Sequence, residues 1–278
     1  AYSSARLKSC RSINERCAST QALMAWNFAR GDGFTFGCSI HFPIVRTRNE
    51  SHRIAQFCTA YKDADRILVA DGGSDDATVD IARSFRNVHV RYFDEYVKLA
   101  NGHVRNNDSD HTNFLIRWAK EYQPTFVIYD DCDCRPNATL RYNYRSILAR
   151  TDADYVMAVR IYLWGKDQYF PHMAKPGEGH TKWEPSLWAW RGNQDFSTVD
   201  VPPAFTFKVG ARHVKDLHFE EKVLDLPPSY CLLHYSWDDA ERVESKLRVY
   251  RESWLIKNMR HPLEMGGPLE PLAELMIE

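Results

Sequence analysis

The sequence predicts an α/β protein built on a mainly parallel central sheet with helices on both faces. Strand-like apolar runs alternate with one-faced helical segments through the first half, two aspartate clusters stand where such runs stop, and the composition is globular. Hydrophobic residues make up 44% of the 278 and charged residues 26%, which argues against disorder. Lys and Arg number 36 against 37 Asp and Glu, a net charge of −1 without the basic excess of a non-specific nucleic-acid or anionic-membrane binder. No apolar run approaches the roughly 18 residues of a membrane span, and the first residues hold no apolar signal core, so a soluble chain is expected. Seven cysteines, an odd number at irregular spacings, point to a reducing, cytoplasmic compartment.

Each element follows from its own pattern. Residues 1–33 are polar, carry Arg6, Lys8, Arg11 and Arg16, and end in the turn signal Ala29-Arg30-Gly31-Asp32-Gly33; they read as an appended helical arm with a solvated basic face. Phe34 to Phe42 reads as a strand closed by Pro43. Ile54, Phe57, Cys58 and Tyr61 share one helical face, and Arg66 to Ala70 is a buried parallel strand ending in the turn Asp71-Gly72-Gly73-Ser74. A helix with Ala77, Ile81 and Phe85 on its apolar face follows, its free N–H groups capped by Ser74 or Asp75. Val88 to Phe93 reads as a strand, and Phe114, Leu115, Trp118, Ala119 and Tyr122 mark a helix ended by Pro124. Thr125 to Tyr129 is a further strand. This alternation implies βαβ units, whose ligands bind at the carboxyl ends of the strands.

The second half is less regular. Strands are expected at Tyr155 to Val159, Leu187 to Trp190, Phe205 to Val209 and Tyr230 to Leu233, with a loop at Lys175-Pro176-Gly177-Glu178-Gly179-His180. A C-terminal helix is expected from Ser236, with Asp239 completing a capping pattern and Val243, Leu247, Tyr250 and Trp254 on one face. Trp188 and Trp190 read as strand packing, while Trp164 and Trp183 offer rings that stack on sugars or bases.

The chemistry gathers in two places. In Asp130-Asp131-Cys132-Asp133 an extended backbone puts Asp131 and Asp133 on one face, where two carboxylates suit a hard cation such as Mn²⁺ or Mg²⁺ that shares its shell with phosphate oxygens. The alternatives are a solvated acidic turn, or a zinc site through Cys132 and Cys134, for which no second cysteine pair completes four ligands. In Asp71-Gly72-Gly73-Ser74-Asp75-Asp76-Ala77-Thr78 the glycines allow close backbone approach and Asp71 can accept from a nucleobase or a ribose hydroxyl; the alternative is an ordinary capped turn.

In order, Pro43 with Asn49-Glu50, then Val69 to Thr78, then Ile128 to Asp133, resemble the nucleotide-sugar half of a family 2 glycosyltransferase of the GT-A fold. Leu232-Leu233-His234-Tyr235-Ser236-Trp237, ahead of Lys246 and Tyr250, is similar to that family's C-terminal His segment. The resemblance implies a donor-binding half over 34–140, an acceptor half over 141–235, and a C-terminal helix and tail over 236–278. It implies that Pro43 and Glu50 border the base, that Asp71 contacts uracil or ribose in the Gly73 loop, and that Asp131 and Asp133 hold the ribose and a metal-bound diphosphate. His234 would add a metal or phosphate contact, or else be a packed histidine. The donor implied is UDP-linked and the transfer inverting. An acceptor hydroxyl then needs a carboxylate base, for which Glu184, Asp195 and Asp200 stand open; Glu184 adjoins the loop and several aromatics. Here Cys132 replaces the family's small or acidic middle residue, and the gap from Pro43 to Asn49 is longer than usual. The acceptor class, whether glycan, lipid, protein or modified nucleobase, is left open. Two further readings are a nucleotidyltransferase on a related fold, for which Ile44 to Arg48 offers arginines but no glycine, and a non-catalytic sugar-nucleotide scaffold.

Overall fold

The computed structural model describes residues 39–98, 104–165, 168–169, 185–201, 204–210, 212–213, 222–237, 243–244, 248 and 270–271. The proposed arm, the 175–180 loop and Glu184 lie outside them. In chain order the elements are β1 His41–Thr47, α1 Ile54–Ala60, β2 Ile67–Asp71, α2 Thr78–Arg83, β3 Val88–Tyr92, β4 Tyr96–Lys98, β5 Val104–Asn106, α3 Asp108–Lys120, β6 Phe126–Tyr129, β7 Cys134–Pro136 and α4 Ala138–Arg150. The remaining strands are β8 Tyr155–Trp164, β9 Gln168–Tyr169, β10 Pro185–Arg191, β11 Phe196–Val201, β12 Ala204–Val209, β13 Arg212–His213, β14 Val223–Asp225, β15 Cys231–Trp237 and β16 Glu270–Pro271.

The main sheet runs β16-β9-β8-β10-β6-β1-β2-β3, with β14 and β15 also on β8 and β7 on β15. Strands β3, β2, β1 and β6 are mutually parallel, so the α/β expectation holds. Next to them β10 runs antiparallel to both β6 and β8. On one face α1 and α4 bury Ile54, Phe57, Cys58, Leu140, Tyr144 and Leu148 against Val45, Val69 and Ile128. On the other, Leu115, Ile116, Trp118 and Ala119 of α3 cover Phe42, Ile44, Leu68, Ala70 and Val127. Every one of these side chains is at most 2% exposed, and at roughly 1.5–3 kcal/mol per large apolar side chain the two layers supply most of the driving force for the fold. Trp188 and Trp190 are fully buried but serve different layers, because a bulge between Leu187 and Ala189 shifts the alternation by one residue.

Caps explain where the helices begin. The Asn107 side chain accepts from the N–H groups of Ser109 (2.9 Å) and Asp110 (3.1 Å), and α3 carries Asp108 and Asp110 in its first turn with Arg117 and Lys120 in its last, matching the helix dipole. Asn137 caps α4 through Leu140 N–H at 3.0 Å.

Four expectations are corrected. The first strand does not close at Pro43: β1 continues to Thr47, with Pro43 opposite Ile128. The N–H groups at the start of α2 are met by Asp76, which accepts from Thr78 N–H at 2.9 Å, and not by Ser74 or Asp75. Helix α4 is an addition to the pattern read from the sequence. Ser236 lies within β15, so the last element does not start there; beyond it Val243, Glu244 and Arg248 are helical, Val243 is buried, and Asp239, Leu247, Tyr250 and Trp254 lie outside the described residues.

Candidate active site

The parallel strands bring Thr47, Asp71 and Tyr129 to one edge: Thr47 pairs with Asp71, and Ile44 of β1 with Tyr129 of β6. The chain then leaves β6 through Asp130 and Asp131 and turns, the Cys134 N–H donating to the Asp131 carbonyl at 2.8 Å. This turn replaces the extended run expected there, so Asp131 and Asp133 are not set on one strand face. Strand β7 follows and pairs with β15, placing Cys134 opposite His234. Strand β15 in turn lies parallel to β8, with His234 beside Tyr162 and Leu232 beside Arg160.

The two carboxylates of the motif meet different surroundings. Asp131 accepts from the Tyr129 hydroxyl at 2.9 Å and forms ion pairs with Arg160 (3.3 Å) and Arg46 (3.5 Å). Arg46 also pairs with Asp108 at the start of α3, at 2.7 Å. Burial opposes ionisation of Asp131, but Arg160 and then Arg46 outweigh it and hold the carboxyl below its ordinary value. Asp133 instead faces His234, its Oδ1 3.3 Å from Nε2, and the two side chains are 10% and 12% exposed. The His234 ring meets Tyr162 edge-on, with centroids 4.8 Å apart. Donor atoms of Asp133, Cys134 and His234 all lie within 4.8 Å of one another. Burial drives the Cys134 thiol well above its usual range, with Arg160 opposing.

Behind this edge stands a buried chain of hydroxyl and ring donors. Trp188 Nε1–H donates to the Tyr61 hydroxyl (3.2 Å), which donates to Asp130 Oδ2 (2.9 Å). Asp130 is fully buried, and that burial pushes its carboxyl up to about 7 despite Arg160 and the Tyr61 bond.

Asp71 has no accessible surface and four internal donors. Its Oδ2 accepts from the N–H groups of Gly73 (3.1 Å) and Ser74 (2.8 Å), while Oδ1 accepts from the hydroxyls of Thr47 (3.0 Å) and Ser74. The carboxylate therefore folds the loop on which Gly72 and Gly73 are presented. Gly73 has φ +78, and a Cβ there would come within 2.6 Å of the Tyr96 hydroxyl, so Tyr96 stands directly over the loop. The Asn49-Glu50 segment is stitched to the same loop: Asn49 N–H donates to Ser74 Oγ (2.9 Å), Asp75 N–H to Asn49 Oδ1 (3.0 Å), and Glu50 N–H to Thr78 Oγ1 (2.7 Å). Asn49 has φ 56, the left-handed conformation asparagine tolerates. Pro43 does not reach the edge; it is buried in the body of β1, and Arg46 and Thr47 occupy the strand's end.

The three base candidates separate. Strand β10 is antiparallel to β6, so Pro185, directly after Glu184, starts at the carboxylate edge, whereas Asp195 follows Arg191 at the opposite edge. There Asp195 is 89% exposed, 3.8 Å from Lys120 at the far end of α3. Asp200 lies on β11, opposite Phe205, beyond Thr198, whose hydroxyl and N–H engage Ser109 and Asn113 near the start of α3. Arg160 is not singled out in the sequence, and Arg46, Tyr61 and Asp130 read there only as part of a strand end, a helical face and an acidic motif; Arg160 carries no local signal, while Arg46 stands next to a strand terminus.

A mainly parallel sheet with acidic loops at its carboxyl edge, one glycine-bearing loop and an Asp–His pair beside them, is the frame of an α/β protein whose ligand site lies at that edge. The model for glycosyl transferase family 2 matches residues 44–209. The chain belongs to glycosyl transferase family 2, and its architecture is the GT-A fold that the motif order implied. That membership stands against the nucleotidyltransferase reading. Among solved structures it is similar to Staphylococcus aureus TarS, at 18% identity over 46% of this chain and 37% of that one, with a TM-score of 0.36. TarS is also solved with UDP-GlcNAc, matching with a TM-score of 0.37. Glucosyl-3-phosphoglycerate synthase from Mycobacterium tuberculosis, in complex with Mn²⁺, UDP and phosphoglyceric acid, matches at 18% identity over 45% of this chain and 44% of that one, with a TM-score of 0.34. The chain spans less than half the length of these solved chains. A search of curated proteins returns no match. No helix among the described residues is long and apolar enough to cross a membrane.

Proposed function

We propose that the chain is a glycosyltransferase that moves a sugar from a nucleoside diphosphate, UDP in the first instance, to an acceptor hydroxyl. The observation that carries the reading is the Asp133 carboxylate set 3.3 Å from the His234 imidazole at the carboxyl edge of the sheet of a family 2 chain. An oxygen and a nitrogen donor so placed fit a divalent ion, Mn²⁺ or Mg²⁺, with open positions for phosphate oxygens. When bound, such an ion stabilises the charge that develops on the departing diphosphate.

The chain's own residues do the rest. Asp71 and Ser74 shape the loop that lets Gly72 and Gly73 approach the nucleotide, and Glu50 and Asn49 brace it. Asp131 acts through Arg46 and Arg160, fixing two guanidinium groups beside the diphosphate position and a carboxylate edge for the ribose. A base must take the acceptor proton as the hydroxyl attacks, in line, with inversion. Glu184 and Asp200 are the two candidates kept, since the strands bearing or following them run to the carboxylate edge; Asp195 is set aside for its place at the other.

The test is UDP release from a panel of UDP-sugars with and without Mn²⁺. Asp133→Asn should abolish metal-dependent UDP binding by calorimetry without unfolding the chain. Unchanged affinity in that variant overturns the metal assignment. Glu184→Gln and Asp200→Asn should differ, one losing turnover by about 10²-fold or more with donor affinity kept.

A further inference from the structure

The geometry points to Cys134 as a third protein ligand beside Asp133 and His234, giving this centre a sulfur donor and a preference for a zinc-class ion (Zn²⁺ or Co²⁺) over Mg²⁺. The inference rests on the reading that Asp133 and His234 hold the metal, and adds to it a residue outside the aspartate motif. Cys134 and His234 are directly opposed across β7 and β15, and opposed side chains in an antiparallel pair lie on one face with Cβ atoms about 4.5–5.5 Å apart. The three donor atoms fall within 4.8 Å. Around a tetrahedral ion with bonds of about 2.0–2.3 Å, ligand atoms sit roughly 3.5 Å apart, so small side-chain rotations close the site.

Chemistry favours the assignment. Thiolate and imidazole select zinc and its neighbours, whereas Mg²⁺ takes oxygen. Three protein ligands with a fourth position open to phosphate oxygen or water is the pattern of catalytic zinc. The sulfur has no accessible surface and the ion would enter past Asp133 and His234, which keep 10% and 12% of theirs. On ligation the thiol hydrogen leaves as a proton to buffer and the sulfur lone pair forms the metal bond.

The experiment titrates the full chain, stripped of metal, with CoCl₂. A sulfur-to-cobalt charge-transfer band in the near ultraviolet is expected, displaced by Zn²⁺. It should be lost in Cys134→Ser, whose Zn²⁺ affinity should fall by more than about 100-fold, above the range for residues that only support a ligand. Cys58→Ser, a buried thiol outside the three-donor cluster, should keep both. Cobalt uptake that depends on Asp133 and His234 but shows no such band, or a band that survives Cys134→Ser, overturns the sulfur ligand and leaves the Asp133–His234 metal reading standing. No uptake of either ion overturns both. Should Cys134→Ser fail to fold, X-ray absorption of the zinc-loaded wild type decides: one sulfur scatterer at about 2.3 Å supports the ligand, and an all-nitrogen-and-oxygen shell refutes it.

Discussion

Replacing Asp71 tests whether that carboxylate holds a loop or touches a nucleotide. It receives two backbone N–H groups and two hydroxyls, and it is fully buried. Hydrogen bonds to a charged acceptor contribute about 1.5–3 kcal/mol each, against about 0.5–1.5 for neutral pairs. Asp71→Asn keeps one oxygen for the two N–H groups and asks the Thr47 and Ser74 hydroxyls to rotate and accept from the new amide. At about 1–1.5 kcal/mol lost per bond over the four bonds, the cost is about 4–6 kcal/mol. Asp71→Ala removes all four bonds and leaves a cavity in place of the buried carboxylate, so it should cost more than the Asn change and leave little folded protein. The assay pairs urea unfolding with UDP calorimetry. On the loop-holding account the Asn variant unfolds at lower urea and, under conditions where it is folded, keeps UDP affinity within a few fold. Unchanged unfolding together with a tenfold or greater loss of affinity would refute it and return Asp71 to the nucleotide.

Acid should destabilise the fold through two buried histidines. Burial, with Arg46 adding, lowers His111 to about 3, and burial, with Arg145 adding, lowers His41 to about 4. Both stay neutral when folded and charge near 6.5 when unfolded, so their stability is present above pH 6.5 and lost as pH falls; His111 alone should give up about 2 kcal/mol by pH 5, and His111→Gln should flatten that slope in urea melts at pH 7 and 5. Asp130 has the opposite sign. With its folded value near 7, burying it ionised costs stability progressively as pH rises from about 4 to 7, so Asp130→Asn should gain on wild type at pH 8 relative to pH 5. Arg160→Met removes one of the two guanidinium partners of the half-buried Asp131 and should cost about 1–3 kcal/mol, measured as a lower urea midpoint; a neutral result would mean that Arg46 alone satisfies Asp131.

What was legible in the sequence depended on how local the cause was. β2 and β6 are short apolar runs buried on both faces, and α1 shows its face at Ile54, Phe57 and Cys58, so each is written in a single window. Helix α4 is diluted: Leu140, Tyr144 and Leu148 lie in one line, but arginines, asparagine and a 78% exposed Tyr142 stand between them, and the clearest signal is the Asn137 cap after Pro136. Pro43 misled because proline usually ends a strand. In β1 its ring is absorbed inside the sheet opposite Ile128, and the strand continues to the residues that matter.

The site was legible as a set of residue types but not as a division of labour. The sequence offered Asp131 and Asp133 as an equivalent pair because a short acidic motif carries no information about partners. Tyr129 is two residues from Asp131, but Arg160 is 29 residues away, and Arg46 arrives from a strand on the far side of the first crossover. Those two arginines set the carboxylates apart: Asp131 lies 3.3 Å from Arg160 and 3.5 Å from Arg46, so its charge is met by guanidinium groups within the chain itself. Asp133, two residues further on, meets an imidazole and a thiol instead. On the proposed function the cation is held by the second aspartate together with β7 and β15, and the first aspartate orients the guanidinium groups. A variant series should show that asymmetry directly, with Asp133→Asn losing metal at unchanged stability and Asp131→Asn losing stability and donor affinity while metal still binds.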